Sequence, residues 1–183
     1  AVSLSVQGDA VIAIDRERRA ISPAHLGMDY RGKEEARQCA EKLGEREIFQ
    51  KTGMRPHPMN TFIKILWIQA HDPNLYKRTW KFVTYADFIL GKLGSDDIVI
   101  DYPMASRTQA FDLANKVWSE EILGSYGVSK EKLGRPVPSG TVVGTISKNL
   151  AEELGISPSA LLVSGGHDQV CAAIGAGLSK EGM

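Results

Sequence analysis

In Leu161-Leu162-Val163-Ser164-Gly165-Gly166-His167-Asp168-Gln169 an apolar run of strand length stops at two glycines and an acidic residue follows. The small, periodic segment from Val170 to Gly177 has the pattern of a helix, so the stretch reads as strand, tight turn, helix. Glycines in such a turn let the backbone approach a ligand closely, and a helix N-terminus offers free N–H groups to an anion such as phosphate. Asp168 then stands at the carboxyl end of a strand, where open α/β sheets bind ligands, and its carboxylate can take a proton from a hydroxyl. A plain helix N-cap explains the same residue.

Two further acidic groups sit beside glycine or on a loop. Gln7-Gly8-Asp9 follows the alternating segment Val2 to Val6, and Asp29 stands two residues from Arg31 in Met28-Asp29-Tyr30-Arg31-Gly32. The Asp29/Arg31 pair is either a solvated ion pair or a polyol-binding couple, since a carboxylate accepts and a guanidinium donates in fixed directions. If the first and last strands are sheet neighbours, all three groups converge on one crevice. Such a crevice suits a hydroxylated ligand. The histidines His25, His57, His71 and His167 show no H-E-x-x-H and no i, i+4 pairing; His167 with Asp168 is the one place to seed a metal site, against a simple loop histidine. No G-x-x-x-x-G-K-[ST] and no G-x-G-x-x-G is present.

Positioning these groups falls to an α/β chain. Period-two alternation predicts a strand over Val2, Leu4 and Val6, and Val11 to Ile14 with Ala20-Ile21 predicts a hairpin across the charged turn Asp15 to Arg19. Helices are expected from Glu34 to Leu43 and from Arg46 to Lys51, each stopped by glycine, and after Asn60 with a face of Phe62, Ile65, Leu66 and Gln69. Lys64 and Trp67 fall on other faces of that helix. Asp72-Pro73 opens a further helix. Trp80 to Val83 reads as a strand, a helix carries Phe88 to Leu93, and Ile98 to Ile100 is apolar and β-branched. Met104 to Thr108 is expected to be a loop, Glu120 to Leu123 a helix, Pro136 to Gly140 a linker-like turn, and Thr141 to Ile146 a strand before the helix capped by Ser147.

The composition narrows the partners. Twenty-two basic and 22 acidic residues among 183 give zero net charge, which implies no general attraction to nucleic acid or a membrane surface. The two cysteines, Cys39 and Cys171, suggest neither a disulfide framework nor a zinc site, and no apolar run reaches bilayer-spanning length. A cytoplasmic protein with a small-molecule partner is expected. The chain enters a strand pattern directly at Ala1 and reads as a piece of a larger protein.

The order of segments resembles the FGGY family of carbohydrate kinases. The resemblance is carried by Ser5-Val6-Gln7-Gly8, Met28-Asp29-Tyr30-Arg31, Thr52-Gly53 with Lys64-Ile65-Leu66-Trp67, Asp87, Asp101-Tyr102-Pro103-Met104-Ala105-Ser106, Trp118-Ser119 and Gly165-Gly166-His167-Asp168. It implies a partial ribonuclease-H-like, actin-type ATPase fold with a helical insertion, and an enzyme that phosphorylates a sugar or polyol hydroxyl with ATP and magnesium. Asp168 then matches the catalytic base. Gln7, Gly8, Asp9, Asp29, Arg31 and Gln169 match substrate-binding positions, and Gly165 and Gly166 lie beside the reacting phosphate. Where glycerol kinases of the family carry Arg-Glu and xylulokinases Met-His, this chain has Gly8-Asp9; glycerol kinases also carry tyrosine near Met59 and tryptophan at Gly27. Gly8 and Gly27 thus leave room for a larger substrate.

The family's Asp-x-Gly-Thr turn has no counterpart before Ala1 and its adenosine-holding domain none after Met183. Residues 1–183 are therefore expected to form an incomplete N-terminal domain, with a helical excursion over about 32–135, inactive in isolation and prone to homodimerise through an open sheet edge. Two rivals stand beside this reading: a non-catalytic sugar-sensing domain of the same fold, and a metal-dependent hydrolase centred on His167 and Asp168.

Overall fold

The computed structural model describes residues 1–178, 180 and 182; Ser179, Glu181 and Met183 lie outside the described residues. In chain order, β1 (Val2–Val6) and β2 (Ile12–Ile14) precede the helices α1 (Lys33–Leu43), α2 (Glu45–Thr52), α3 (Thr61–His71) and α4 (Pro73–Arg78). Then come β3 (Lys81–Val83), α5 (Tyr85–Leu93), β4 (Val99–Asp101), α6 (Tyr102–Ser106), β5 (Phe111–Asp112), β6 (Val117–Trp118) and α7 (Glu120–Ser125). The last elements are β7 (Arg135–Val137), β8 (Val142–Thr145), α8 (Lys148–Leu154), β9 (Leu161–His167) and α9 (Asp168–Gly175).

The alternation in β1 half-buries Val2, Leu4 and Val6 and leaves Ser3 and Ser5 exposed, as a strand with one apolar face must. Its neighbour is β9, in parallel, with β8 antiparallel on the far side. The register pairs Ser5 with Gly166 and Val6 with His167. Parallel neighbours end at the same edge of a sheet, so the residues after Val6 and the residues after His167 emerge side by side. This pairing builds the site.

The expected turn at Gly165-Gly166 is corrected: both glycines belong to β9, which runs on to His167 and enters α9 directly. The reason is close packing between strands. The β1–β9 register slips between Ser3 and Ser5, and a Cβ at Gly165 would stand 1.7 Å from the Leu4 carbonyl oxygen. Glycine here accommodates an irregular strand pairing rather than a turn.

Around the sheet lie two main apolar clusters. Leu90, Val99, Val143, Ile146 and Leu162 pack beneath β8 and β9, and the larger cluster joins Phe62, Ile65, Ile68, Phe82, Ile100, Met104 and Phe111. α3 lies at the heart of the second. The single stripe expected for it is too narrow, because Ile63 and Lys64 are also fully buried.

Two other expectations are corrected. Met104 to Ser106 is helical within α6, because Asp101 accepts the Met104 N–H at 2.9 Å and Pro103 sits in the first turn. The Pro136 segment is a strand, β7, pairing in parallel with β4 through Val99, Ile100 and Asp101. The Asp72-Pro73 start holds, with Asp72 accepting the Leu75 N–H at 3.0 Å. The hairpin across Asp15 to Arg19 is also present: Asp15 N donates to Arg19 O at 3.0 Å and Ile21 N to Ala13 O at 2.9 Å.

Candidate functional site

At the edge where β1 and β9 end, a cleft of about 440 Å³ opens. Its polar lining is Gln7, Asp9, Arg107, His167, Asp168 and Gln169. Leu26, Met28, Tyr30 and Met59 supply apolar surface, and Gly8 and Gly27 complete the wall. The sequence-predicted Gln7, Gly8, Asp9, Asp168 and Gln169 thus meet in one cavity.

Asp168 is the first residue of α9, not its cap. The capping position belongs to His167, whose Nδ1 accepts the Gln169 N–H at 3.2 Å, and Asp168 Oδ1 accepts the same N–H at 2.7 Å. A carboxylate there is favoured by the positive end of the helix. With 43% of its side chain exposed, it is open to a ligand. His167 is tucked under Gly8: a Cβ at residue 8 would lie 2.6 Å from His167 Cδ2. Glycine at position 8 is therefore required by the histidine that directly precedes Asp168.

Asp9 has a left-handed backbone, φ 67°, which aspartate tolerates better than most residues. Ala10 N donates to Gly8 O at 2.9 Å across it. The turn aims the Asp9 carboxylate at Arg107, whose Nη2 donates to Oδ2 at 2.9 Å. Arg107 comes from the C-cap of α6. Beneath this pair, Lys64 Nζ donates to the Asp9 carbonyl at 2.9 Å and to that of Met59. Burial draws Lys64 down to about 8, against the pull of Asp9 and Asp29.

Asp29 and Arg31 are not among the residues that line the cleft. They pair with each other at 2.8 Å, and the guanidinium lies 4.7 Å above the Trp67 ring. Burial pushes the Asp29 carboxyl up, but hydrogen bonds from Arg31 hold it below its ordinary value. Gly165 and Gly166 also stand outside the lining; the face of Gly166 meets Cys171 Sγ, at 3.3 Å from an added Cβ. Arg107 and the apolar wall from Leu26 to Tyr30 were missed from the sequence. Among the described residues no three His, Cys, Asp or Glu side chains are grouped to hold a metal ion, and no helix is long and apolar enough to cross a membrane.

The profile of the FGGY family of carbohydrate kinases, N-terminal domain, matches residues 1–175. A gluconokinase of Bacillus subtilis (strain 168) is 30% identical over 181 residues, covering 99% of this chain and 35% of the relative. A xylulose kinase of the same organism is 28% identical over 181 residues, with 99% and 36% covered. The crystal structure of gluconate kinase from Lactobacillus acidophilus superposes with a TM-score of 0.90 at 24% identity, over 97% of this chain and 36% of that one. The chain thus spans about a third of the length of the curated relatives it matches.

Proposed function

Since this chain belongs to the FGGY family of carbohydrate kinases, with the actin-type fold of its kinases, we propose that the protein carrying it transfers a phosphoryl group from ATP to a hydroxyl of a sugar or polyol. The chain supplies the sugar-facing wall, and residues 1–183 act as part of a larger catalytic unit. One observation carries the reading: the parallel pairing of β1 and β9 brings an exposed carboxylate, Asp168, to the same cleft as Gln7, Asp9 and Gln169.

In the reaction Asp168 accepts the proton of the attacking hydroxyl while that oxygen forms its bond to the γ-phosphorus and the bond to the β,γ-bridging oxygen breaks. Phosphoryl transfer is mostly positioning and charge stabilisation, so the carboxylate orients the hydroxyl as much as it deprotonates it. Gln7, Asp9 and Gln169 offer amide donors and carboxylate acceptors to the remaining hydroxyls. Magnesium is assigned no ligand in this chain. The two free thiols, Cys39 and Cys171, suit a reducing, cytoplasmic setting.

The test is ADP release by the intact protein over a panel of aldoses, ketoses, aldonates and alditols, with Asp168→Asn alongside. Turnover on one member that falls by about two orders of magnitude or more in the variant is expected. A variant as active as wild type would remove Asp168 from the chemistry.

A further inference from the structure

Lys64 is a residue of α3 with no exposed surface. Among the described residues its side-chain hydrogen bonds go to two backbone carbonyls and to no carboxylate: Nζ donates to Asp9 O at 2.9 Å and to Met59 O. Burial draws its pKa down to about 8, which leaves the ammonium charged at neutral pH with its donors intact. A charge held out of water without an opposite charge is costly, and an apolar side chain of similar length would fill the same space more cheaply. What the ammonium adds is the fixing of two carbonyls.

Those carbonyls belong to two separate segments that line the cleft. Asp9 lies between β1 and β2, in a left-handed conformation that the strands do not impose. Met59 lies on the loop that leads into α3, next to Asn60, whose Nδ2 donates to Arg55 O and to Gln109 Oε1, both at 2.7 Å. α3 itself is packed into the larger apolar cluster through Phe62, Ile63, Ile65 and Ile68, so a side chain rooted in it is a fixed post. Asp168 is held by other means. It opens α9, and its carboxylate bonds within that helix.

We infer that Lys64 is a positioning residue: by clamping the Asp9 and Met59 carbonyls to α3 it sets the shape of the substrate-binding wall, and with it the affinity for substrate rather than the rate of the chemical step. The inference rests on the sugar-kinase reading above for what the cleft binds. Without the clamp, backbone at Asp9 and Met59 must be fixed at the moment of binding, and fixing one residue costs about tenfold in affinity. Asp168 keeps its place in either case.

The test uses the intact protein with D-gluconate, D-xylulose, D-glucitol and glycerol, by ADP release and by titration calorimetry. For the compound that wild type prefers, K64M should raise KM and Kd at least about tenfold and leave kcat within about twofold. A merely structural lysine has the opposite signature: fewer folded molecules lower the apparent kcat and leave KM where it was, and that result overturns the inference. A reciprocal measurement needs no variant. A clamp that raises sugar affinity about tenfold must itself be strengthened by the same factor when sugar is bound, so the Lys64 Nζ protons, followed by proton–nitrogen NMR of wild type, should exchange with solvent about tenfold more slowly in the complex. An unchanged exchange rate overturns the inference even where K64M does not fold. The two readings fail separately: wild-type turnover with an unaltered KM in K64M sinks the clamp alone, and sugar binding that weakens in K64M with no phosphoryl transfer by wild type sinks the kinase alone. Neither binding nor turnover of any of these compounds overturns both.

Discussion

Replacing Gly8 by alanine puts a methyl group where none fits. The new Cβ would lie 2.6 Å from Cδ2 and 2.7 Å from Nε2 of His167, against an ordinary separation of about 3.5–4.0 Å, so the contact is short by about 1 Å. Residue 8 is tied by its carbonyl to Ala10 N at 2.9 Å, and the imidazole is the part that can move. Tilting it forfeits the Nδ1 bond to the Gln169 N–H at 3.2 Å, yet Asp168 Oδ1 accepts the same hydrogen at 2.7 Å. The cost in stability is then about 1 kcal/mol or less. With Asp168 as the proposed base, catalysis should suffer more, because Asp168 follows His167 directly and a misplacement of about 1 Å in a reacting group can cost about a hundredfold. G8A should therefore lower kcat/KM in the ADP-release assay by about tenfold to a hundredfold, with its melting temperature a few degrees or less below wild type. The double variant G8A/H167A supplies the control. With the ring gone the clash disappears, and adding G8A to H167A should cost nothing further. Wild-type turnover in G8A, or effects of the two substitutions that simply add, would refute the assignment of Gly8 as the residue that seats His167 and Asp168.

Gly165→Ala should be far more damaging to the fold, since its Cβ would sit 1.7 Å from the Leu4 carbonyl oxygen; a loss of about 3 kcal/mol or more in urea unfolding is expected, and a near-neutral variant would contradict the β1–β9 pairing. Lys64→Met strips the carbonyls of Asp9 and Met59 of their buried donor, at about 1–3 kcal/mol for each group left unpaired, which the same unfolding curves would register. Asp87 is buried in the capping box of α5, where it accepts from Thr84 N and Oγ1, and burial pushes its carboxyl up to about 6 from an ordinary 3.8. The native state therefore holds this proton more tightly than the unfolded chain, so the group's contribution is complete below about pH 4 and is lost as the pH rises through about 6. Unfolding free energies at pH 4 and pH 7 should differ between wild type and D87N by about 2 kcal/mol in that sense, and parallel pH profiles would show that Asp87 does not titrate in this window.

Much of the fold was legible because its signals are local. Alternation in Val2 to Val6, glycines at the ends of α1, α2 and α5, and the cap-then-proline start of α4 each depend on a few neighbouring residues. Where reading failed, a local signal was available but outweighed. Asp101 with Pro103 repeats the logic of Asp72 with Pro73, yet the small residues of Met104 to Ser106 suggested a loop. Pro136 hid β7, because a proline inside a run lowers the case for a strand, although a short strand at the edge of a pair tolerates it. Lys64 falls outside the apolar face predicted for α3; only the tertiary position of two carbonyls, those of Asp9 and Met59, makes its burial tenable.

The site divides along the same line. Gln7 to Asp9 and Asp168-Gln169 could be placed together once β1 and β9 were taken as neighbours, since strand ends carry their following residues with them. The charge couple could not. An acid and an arginine two residues apart, Asp29 and Arg31, read either as a solvated ion pair or as a polyol-binding couple; in the fold they pair with each other, and the guanidinium lies over Trp67. The couple that does line the cleft, Asp9 with Arg107, is separated by 98 positions and depends on two things no local pattern encodes: the left-handed turn at Asp9 and the helix of α6 that delivers Arg107. Groups that are satisfied locally are easily seen and have little left to offer a ligand. Groups held by distant partners, with donors still unused, are harder to see and better suited to binding one.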